Sequence, residues 1–321
     1  MSTPFSEMLR IIPNAPQYEL NEMNDFNTEK YFPFPLSAAV GRAFSVHGDG
    51  VRQIRLSRNG FLSFDIRGKN VFPPTSENGG ERFFVAESAF DECFLRACEY
   101  SVHTYAARIR EGFIPLDGGH RVGVCGSAVT DGGQVLGIKN ISSLDYRVAR
   151  EFRGCAEKGM RYITDGGRIR NTVIASRPGG GKTTFIRDLA RLLSAKGFRV
   201  CVVDTRSEIA AVKNGVPCFD TGALTSVFDG YPKAFGMECA VRAFAPDAVI
   251  CDEIGNEKEL DALRFLMSRG VPFVVTVHCG GASELLKNDV LRSLSEQKLA
   301  ETVIFLDEIP VPTHIKEVLL P

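Results

Sequence analysis

The chain has 321 residues, of which 44% are hydrophobic and 24% are charged, and its net charge at pH 7 is −1. This composition is that of a globular chain with about two domains, and it gives no bulk attraction to nucleic acid or acidic lipid. No apolar run approaches the roughly 20 residues that span a bilayer, and no apolar signal-peptide core stands at the N-terminus, so we expect a cytoplasmic protein without a transmembrane segment.

The N-terminal half of the sequence predicts a small α+β domain. Prolines interrupt residues 1–40, which predicts an irregular segment with short helices at most. Within residues 41–153, two alternating runs flank Asn59-Gly60, and Asn-Gly between such runs is typical of a β-hairpin. A helical pattern spans residues 89–110, and two Asp-Gly turns follow it.

Residues 154–171 are charged and contain four glycines, which predicts a linker between two domains. From residue 172 onward, short apolar runs alternate with amphipathic stretches, and this order is the signature of a parallel sheet. We therefore expect an α/β domain over residues 172–321, with the residues after Leu306 as a short tail. In such a sheet the ligand site lies at the carboxyl ends of the strands.

A glycine-rich stretch joins the first strand of this domain to a helix. It resembles the phosphate-binding pattern G-x-x-x-x-G-K-[ST], with Ser176 at the first glycine position. Amides of such a loop and the positive end of the helix dipole bind phosphate oxygens. Lys182 is expected to reach the β- and γ-phosphates of ATP, and Thr183 to ligate Mg²⁺. The alternative is a glycine-rich turn without a ligand. The predicted nucleotide contacts are Ser176, Pro178, Gly179, Gly180, Gly181, Lys182, Thr183 and Thr184.

The apolar run Ala248–Cys251 is followed by two acids, a pattern typical of the Walker B motif. Asp252 is expected to hold Mg²⁺ through water. Glu253 is expected to polarise the attacking water as a general base. The alternative is a strand that leads into an acidic helix start.

Two more strands of the predicted sheet end in polar residues. Asp204 and Glu208 follow one of them, and either acid is a candidate to position water or metal. His278 ends the strand after the Walker B motif, where a polar side chain can reach a γ-phosphate. The alternatives are a helix cap with a surface ion pair, and a histidine held by hydrogen bonds at a strand end.

Three arginines are candidates for phosphate contacts. Arg242 lies on the helix before the Walker B motif, as a phosphate or intersubunit ligand or as a solvated helix residue. Arg147 and Arg150 lie at the end of the N-terminal domain. Guanidinium groups supplied by a neighbouring subunit stabilise the transferred phosphoryl group in many ATPases, and surface charges are the alternative reading of this pair.

A longer series of motifs spans residues 50–308 in a specific order. The motifs are Ile54–Leu56, Gly118–Gly123, Ile141–Ser143, Asp204–Ile209, Asp229–Lys233, Gly236–Met237 and Cys251–Gly255. In this order they resemble the stage III sporulation protein AA family, which is itself similar to the ATPases of type II and type IV secretion. Two positions depart from the pattern: Ser176 replaces a glycine, and Thr205 replaces a second acid.

The resemblance implies a P-loop NTPase domain of the RecA-like (ASCE) class, preceded by a smaller, mobile α+β domain. It implies Mg²⁺-dependent hydrolysis of ATP in a hexameric ring of identical subunits. It also implies nucleotide-site roles for Glu208 and His278, and an arginine acting in trans, for which Arg147 and Arg150 are the candidates.

The family role implied by the resemblance is that of a mother-cell ATPase. It energises a channel complex between mother cell and forespore, and it is held near the membrane by a membrane-anchored sporulation protein. Two alternatives stay open on the sequence. One is a nucleotide-binding assembly scaffold with little or no turnover. The other is an ATPase that translocates nucleic acid, which the net charge of −1 does not support.

Overall fold

The computed structural model describes residues 9–11, 26–75, 80–282, 284, 289–307 and 313–320. The chain divides into two compact units. The N-terminal unit comprises residues 22–150, and the C-terminal unit comprises residues 151–321 together with residues 1–21, which include the strand β1 (Leu9–Ile11). Each helix among the described residues is too short or too polar to span a bilayer.

The N-terminal unit contains an antiparallel sheet of six strands in the order β5-β4-β2-β9-β8-β7. Its elements are α1 (Thr28–Tyr31), α2 (Leu36–His47), β2 (Val51–Ser57), β3 (Gly60–Phe61), β4 (Ser63–Ile66), β5 (Lys69–Val71), β6 (Phe84–Val85), α3 (Glu87–Ala97), α4 (Ala106–Arg110), β7 (Phe113–Pro115), β8 (Arg121–Asp131) and β9 (Gln134–Arg147).

The predicted Asn-Gly hairpin of this unit is confirmed. Ile54 on β2 lies opposite Phe64 on β4, and Asn59 in the turn has φ 48°. Ile54 is fully buried, as expected for the inward face of an alternating strand. The hydroxyl group of Tyr146 on β9 donates to the carbonyl oxygen of Cys93 at 3.1 Å, which ties the sheet to α3.

Two expectations for this unit need correction. The helical pattern of residues 89–110 forms two helices, α3 and α4, because Glu99 and Tyr100 adopt φ values of 50° and 57° that no α-helix contains. The boundary expected at residue 40 falls inside α2, which runs from Leu36 to His47 and buries Val40 in the core of this unit. Much of the irregular segment of residues 1–40 lies outside the described residues.

The C-terminal unit is built on a sheet of eight strands in the order β1-β18-β17-β12-β16-β15-β13-β14. Besides β1, its elements are α5 (Glu157–Ile163), β10 (Thr164–Asp165), β11 (Arg168–Ile169), β12 (Thr172–Ser176), α6 (Lys182–Ala195), β13 (Val200–Asp204), β14 (Thr225–Asp229), α7 (Lys233–Phe244), β15 (Ala248–Cys251), α8 (Glu257–Ser268), β16 (Phe273–His278), α9 (Asp289–Glu296), β17 (Thr302–Asp307) and β18 (His314–Leu319).

The six strands from β17 to β14 in this order are parallel, and β18 near one edge pairs antiparallel with both β17 and β1. The central strands are buried on both faces, because α5 and α6 cover one face and α7, α8 and α9 cover the other. Val173 faces one helical layer and Ile174 the other. Continuous apolar runs such as Ala248–Cys251 are typical of strands in this setting.

Residues 154–171, expected to form a linker, instead form α5 and the hairpin of β10 and β11. Met160, Ile163 and Ile169 are buried in the same cluster as the helix α6. Gly159 serves packing rather than flexibility, since a Cβ atom there would lie 2.4 Å from the ring of Phe185. The tail expected after Leu306 likewise contains a strand, β18, which pairs with β17.

Candidate nucleotide-binding site

The predicted phosphate loop, the Walker B acids and His278 lie at one edge of the parallel sheet. Ser176 at the end of β12 is the register partner of His278 at the end of β16. Strand β15, which leads into Asp252 and Glu253, is the other neighbour of β16. The carboxyl ends of three adjacent parallel strands therefore bring these groups together, as expected for an open α/β sheet.

The phosphate loop, residues 176–184, has the backbone that its three glycines require. Gly179 and Gly181 have φ values of 84° and 86°, in the left-handed region that favours glycine. Gly180 is required for space, because a Cβ atom at this position would lie 2.6 Å from the hydroxyl oxygen of Ser176. Gly181 is also the N-cap of α6, so the amide groups at the positive end of this helix open onto the loop.

Three side chains, Lys182, His278 and Glu253, form a continuous series of close polar contacts across the site. The ammonium group of Lys182 lies 2.9 Å from Nδ1 of His278, and Nε2 of His278 lies 3.2 Å from a carboxylate oxygen of Glu253. Since an ammonium group only donates, Nδ1 must accept, and the proton of the neutral imidazole ring is then on Nε2, where it faces Glu253. This arrangement connects the phosphate-binding lysine to the candidate general base.

The two ends of this series differ in exposure. Lys182 is buried, and this burial lowers the pKa of its ammonium group, while the charge of Glu253 acts in the opposite direction. The side chains of His278 and Glu253 are 41% and 43% exposed. The base and the histidine are therefore accessible to water and substrate, while the lysine needs a partner in the absence of phosphate.

Ser176 provides further partners for Lys182. Its carbonyl and hydroxyl oxygens lie 3.2 Å and 3.4 Å from the ammonium nitrogen. The hydroxyl group itself donates to the carbonyl oxygen of Arg177 at 2.8 Å. The residue that replaces the usual glycine is thus buried beneath the loop and helps to hold the lysine.

Asp204 organises the backbone of its own turn. Its carboxylate is fully buried and accepts from the amide groups of Glu208, Ile209 and Ala210 at 2.9 Å, 3.0 Å and 2.9 Å. Burial raises the pKa of this carboxyl group, and the three hydrogen bonds oppose the shift. Of the two acids predicted in this turn, Asp204 is therefore engaged by main chain, and it fixes the place from which Glu208 projects.

Arg187 on α6 fastens the same turn from the other side. It donates to the carbonyl oxygens of Ile209 and Glu208, both at 2.6 Å, and its guanidinium group lies 3.7 Å from the ring centroid of Phe219. Burial lowers the pKa of Arg187 to about 10. Because the phosphate loop runs into α6, Arg187 couples the position of Glu208 to the helix that carries Lys182.

Asp252 is mostly buried and is paired with a lysine. Its carboxylate oxygen lies 3.3 Å from the ammonium group of Lys233, and its side chain is 14% exposed. Burial raises the pKa of Asp252 to about 6, and the charge of Lys233 opposes the shift. Lys233 also donates to the backbone carbonyl oxygen of Glu253.

The residues predicted to hold magnesium suit that ion. The hydroxyl group of Thr183 stands on the first turn of α6, and Asp252 supplies a carboxylate, both hard oxygen donors. Mg²⁺ keeps several waters and binds through few protein oxygens plus phosphate. Within the described ranges there is no cluster of three or more His, Cys, Asp or Glu side chains that could hold a metal ion.

The remaining predicted residues have other surroundings. Arg242 is paired with Glu238 on its own helix at 3.0 Å, with 65% of its side chain exposed, and the structure does not bring it to the phosphate loop. Arg147 and Arg150 belong to the N-terminal unit. Arg147 is exposed at the end of β9. Arg150 is partly buried and donates to the carbonyl oxygen of Val51 at 2.9 Å, and burial lowers its pKa.

Sequence reasoning missed three contributors to the site. Lys233 is the first residue of α7, where the helix dipole disfavours a cation. This unfavourable placement could have been noticed in the sequence as a sign that the lysine has a partner elsewhere. Arg187 and Thr313 gave no such signal. The amide group of Thr313 donates to the carbonyl oxygen of Gly180 at 3.1 Å, a contact between residues far apart in sequence.

Comparisons of the sequence with a family profile and with individual proteins agree with each other. The profile of the family described as "Sporulation stage III, protein AA" matches residues 50–319. Stage III sporulation protein AA of Bacillus subtilis is 34% identical over 228 residues, which covers 70% of this chain and 74% of that protein. The resemblance seen in the motifs is confirmed.

Comparison of structures supports the fold. The ATPase DotB of Legionella pneumophila aligns with a TM-score of 0.53 at 12% identity, over 96% of this chain and 83% of that one. DotB of Yersinia pseudotuberculosis aligns with a TM-score of 0.50 at 12% identity, over 91% and 80%. At this identity the likeness concerns the fold alone, and it confirms the predicted α/β fold class.

Proposed function

The chain belongs to the stage III sporulation protein AA family, and we propose that it is a magnesium-dependent ATPase that converts hydrolysis into domain motion in a hexameric ring. The observation that carries this proposal is the series of close polar contacts from Lys182 through His278 to Glu253. A lysine that cradles the phosphates and a residue that positions the nucleophile are recurring parts of sites for phosphoryl transfer.

The proposed binding roles follow from the loop geometry. The amide groups of the phosphate loop and of the first turn of α6 receive the phosphate oxygens of ATP. Lys182 contacts the β- and γ-phosphates. Thr183 holds Mg²⁺ directly, and Asp252 holds it through water. Bound Mg²⁺ neutralises charge on the phosphate oxygens.

In the hydrolytic step, Glu253 accepts a proton from a water molecule as the water oxygen bonds to the γ-phosphorus atom. The bond between this phosphorus and the oxygen bridging to the β-phosphate breaks, and ADP leaves with the electron pair. Glu208 lies in the turn after β13, where Asp204 and Arg187 hold its backbone, and it is proposed to help orient the water.

His278 is proposed to report the state of the site. Lys182 has to exchange His278 for phosphate oxygens when ATP binds. This exchange leaves Nδ1 of the imidazole ring available to the γ-phosphate, and it releases one end of the series of contacts to Glu253. Occupancy of the phosphate loop is thereby transmitted to the general base.

Assembly and location extend the proposal. Arg147 and Arg150 of the N-terminal unit are proposed as candidates to reach the phosphates of a neighbouring subunit in the ring, where a guanidinium group stabilises the transition state. The cellular role proposed is that of a cytoplasmic mother-cell ATPase. It acts on a membrane-anchored sporulation channel protein between mother cell and forespore.

A nucleotide-binding scaffold without turnover is the second candidate. Ser176 favours it, because its side chain fills the space beneath Gly180 and its oxygens hold Lys182. A loop that is slow to release its lysine would bind nucleotide without rapid hydrolysis. The acids Asp252 and Glu253 favour the enzyme.

Phosphate release from ATP, measured on the full chain with and without Mg²⁺, tests the proposal. We expect Mg²⁺-dependent release that falls by about 10²–10⁴ in Glu253→Gln, the range for losing a general base. Lys182→Ala should lose release and nucleotide binding together. Measuring mass with and without nucleotide in the same samples shows whether turnover rises with assembly.

Matched controls use exposed residues of the same unit. Lys196 is the residue after α6, and Glu296 is the last residue of α9. The control variants are Lys196→Ala and Glu296→Gln. Both should keep wild-type release. Release that stays unchanged in Lys182→Ala and Glu253→Gln would refute the enzyme. Tight nucleotide binding without release in the wild type would support the scaffold.

A further inference from the structure

Lys233 occupies a position that local physics disfavours. It is the first residue of α7, and a cation at a helix N-terminus meets the positive end of the helix dipole. Its side chain is nevertheless only 17% exposed, so the ammonium group is held inside rather than directed to solvent. Such an unfavourable interaction with the helix dipole is tolerated where neighbouring groups offset it.

The compensation comes from the Walker B turn. The ammonium group lies 3.3 Å from Asp252 and 3.9 Å from Glu259, and it donates to the backbone carbonyl oxygen of Glu253. Glu259 in turn accepts from the amide group of Gly255 at 2.7 Å. Lys233 thus joins α7 to both ends of the turn that carries the acids.

The neighbouring acids already have other donors. Asp204 is held by three backbone amide groups, and Asp229 accepts from the hydroxyl group of Ser207. Asp252 and Glu259 are the acids that Lys233 contacts. Lys233 is therefore the cation that pairs directly with the candidate magnesium ligand, and the charge of Arg206 adds a further favourable interaction.

We propose that Lys233 is the resident counter-ion of the Walker B turn. It holds Asp252 in place while no metal is bound, and its charge opposes Mg²⁺ until nucleotide phosphates add their own negative charge. Lys233 is a positioning residue that acts through Asp252. This inference rests on the proposed binding of Mg²⁺ and ATP at this site.

The test is the dependence of nucleotide binding on Mg²⁺ concentration. A fluorescent ATP analogue is bound to the full chain at about pH 8.5, where carboxylates are ionised. Lys233→Gln removes the charge and keeps a donor for the carbonyl oxygen of Glu253. We expect its Mg²⁺ midpoint to fall by about tenfold, because repulsion of the divalent ion is removed. Binding in EDTA should stay within about twofold.

The controls separate charge from structure. Lys233→Arg keeps the charge and should keep the wild-type midpoint. Lys258→Gln removes one exposed charge from the first turn of α8 and should also leave the midpoint unchanged. In an Asp252→Asn background, Lys233→Gln should produce no further shift, because the residue through which it acts is absent.

An unchanged or higher midpoint in Lys233→Gln overturns the inference. If that variant does not fold, Lys233→Met, which also removes the charge, is measured against the same criterion. Loss of analogue binding in the wild type would overturn the proposed function itself. Wild-type binding with no shift in the variant overturns only the role of Lys233.

Discussion

Two acidic corners at the same edge of the sheet are built in opposite ways. At one corner, Asp204 is fully buried and accepts from three backbone amide groups. At the other, Glu253 is 43% exposed and is held by the side chain of His278. Strand ends of the same sheet supply both acids, so their position in the fold does not separate their roles.

The kind of group that contacts each acid therefore distinguishes the two roles. An acid held by backbone amide groups stabilises the fold, whereas an acid held by a side chain is suited to catalysis. Backbone amide groups cannot leave without unfolding the turn, so the carboxylate of Asp204 stays committed to the turn. A histidine can rotate away or exchange partners, so Glu253 can accept a proton from water. Asp252 lies between the two cases, since it is buried like Asp204 but is held by a side chain, Lys233.

The largest expected effect comes from removing the buried carboxylate of Asp204. Asp204→Ala leaves three amide groups, two of them in fully buried hydrogen bonds, without their acceptor. It should lower the free energy of unfolding by about 3 kcal/mol or more, because hydrogen bonds to charged groups contribute roughly 1.5–3 kcal/mol each. Urea unfolding measures the change. Glu253→Gln, in the same assay, should stay within about 0.5 kcal/mol of the wild type.

Equal losses of stability in Asp204→Ala and Glu253→Gln would remove the distinction between the corners. A loss in Asp204→Ala alone would locate the fold-shaping role there, and activity in that variant would be judged only at temperatures where it is folded.

The second effect concerns Asp252, which is intermediate between the two cases, and it depends on pH. Burial raises the pKa of Asp252 from 3.8 to about 6, so the folded chain binds this proton more tightly than the unfolded chain does. The carboxyl group therefore favours folding below pH 3.8, and this contribution is lost as the pH rises to about 6. The nearby charges of Lys233, Asp204 and Arg206 are included in this shift.

In EDTA, the free energy of unfolding of the wild type relative to Asp252→Asn should fall by about 2–3 kcal/mol from about pH 4 to about pH 7. Urea unfolding at several pH values measures the difference. Glu296→Gln, an exposed control, should show no such trend. A wild-type difference that is constant or rises with pH would contradict the assignment.

The smallest expected effect concerns Ser176, which contacts Lys182 in the phosphate loop. Ser176→Gly removes the hydroxyl contact to Lys182 at 3.4 Å and the side chain beneath Gly180. We expect nucleotide affinity to rise by up to about threefold, which corresponds to less than the roughly 1 kcal/mol of a typical hydrogen bond. Equilibrium binding of a fluorescent ATP analogue measures it. Ser176→Ala, which keeps Cβ, separates the hydroxyl from the volume.

Weaker binding in Ser176→Gly would show that the serine supports the loop instead of restraining its lysine. Equal gains in the glycine and alanine variants would assign the restraint to the hydroxyl group.

Most of the C-terminal unit could be predicted from sequence because its elements are buried on both sides. The alternation of apolar runs and amphipathic stretches predicted strands with helices between them, and the structure confirms this order, with Lys233–Phe244 and Glu257–Ser268 as two of the helices. The strands β14 and β18 were missed. Both lie near an edge of the sheet and are only partly buried, so they lack the continuous apolar run that marks a central strand.

The candidate site was predictable where its signal was local. The phosphate loop and the Walker B acids each lie within one short stretch, so spacing alone indicated them. The partners of these residues were not predictable in the same way. Lys233 meets Asp252, and Arg187 meets the backbone after Asp204, only because separate strands end at one edge. Residues 154–171 were misjudged because a glycine that admits Phe185 looks the same in sequence as a flexible one.

The contact between Thr313 and Gly180 has a consequence for the chain during its synthesis. The glycine leaves the ribosome more than a hundred residues before the threonine that holds its carbonyl oxygen. At about 5–20 residues per second, the nascent chain carries an incomplete phosphate loop for on the order of ten seconds. Nucleotide is therefore expected to stabilise this unit only once translation has passed its last strand, so a ribosome stalled before β18 should hold a chain that ATP does not protect from protease.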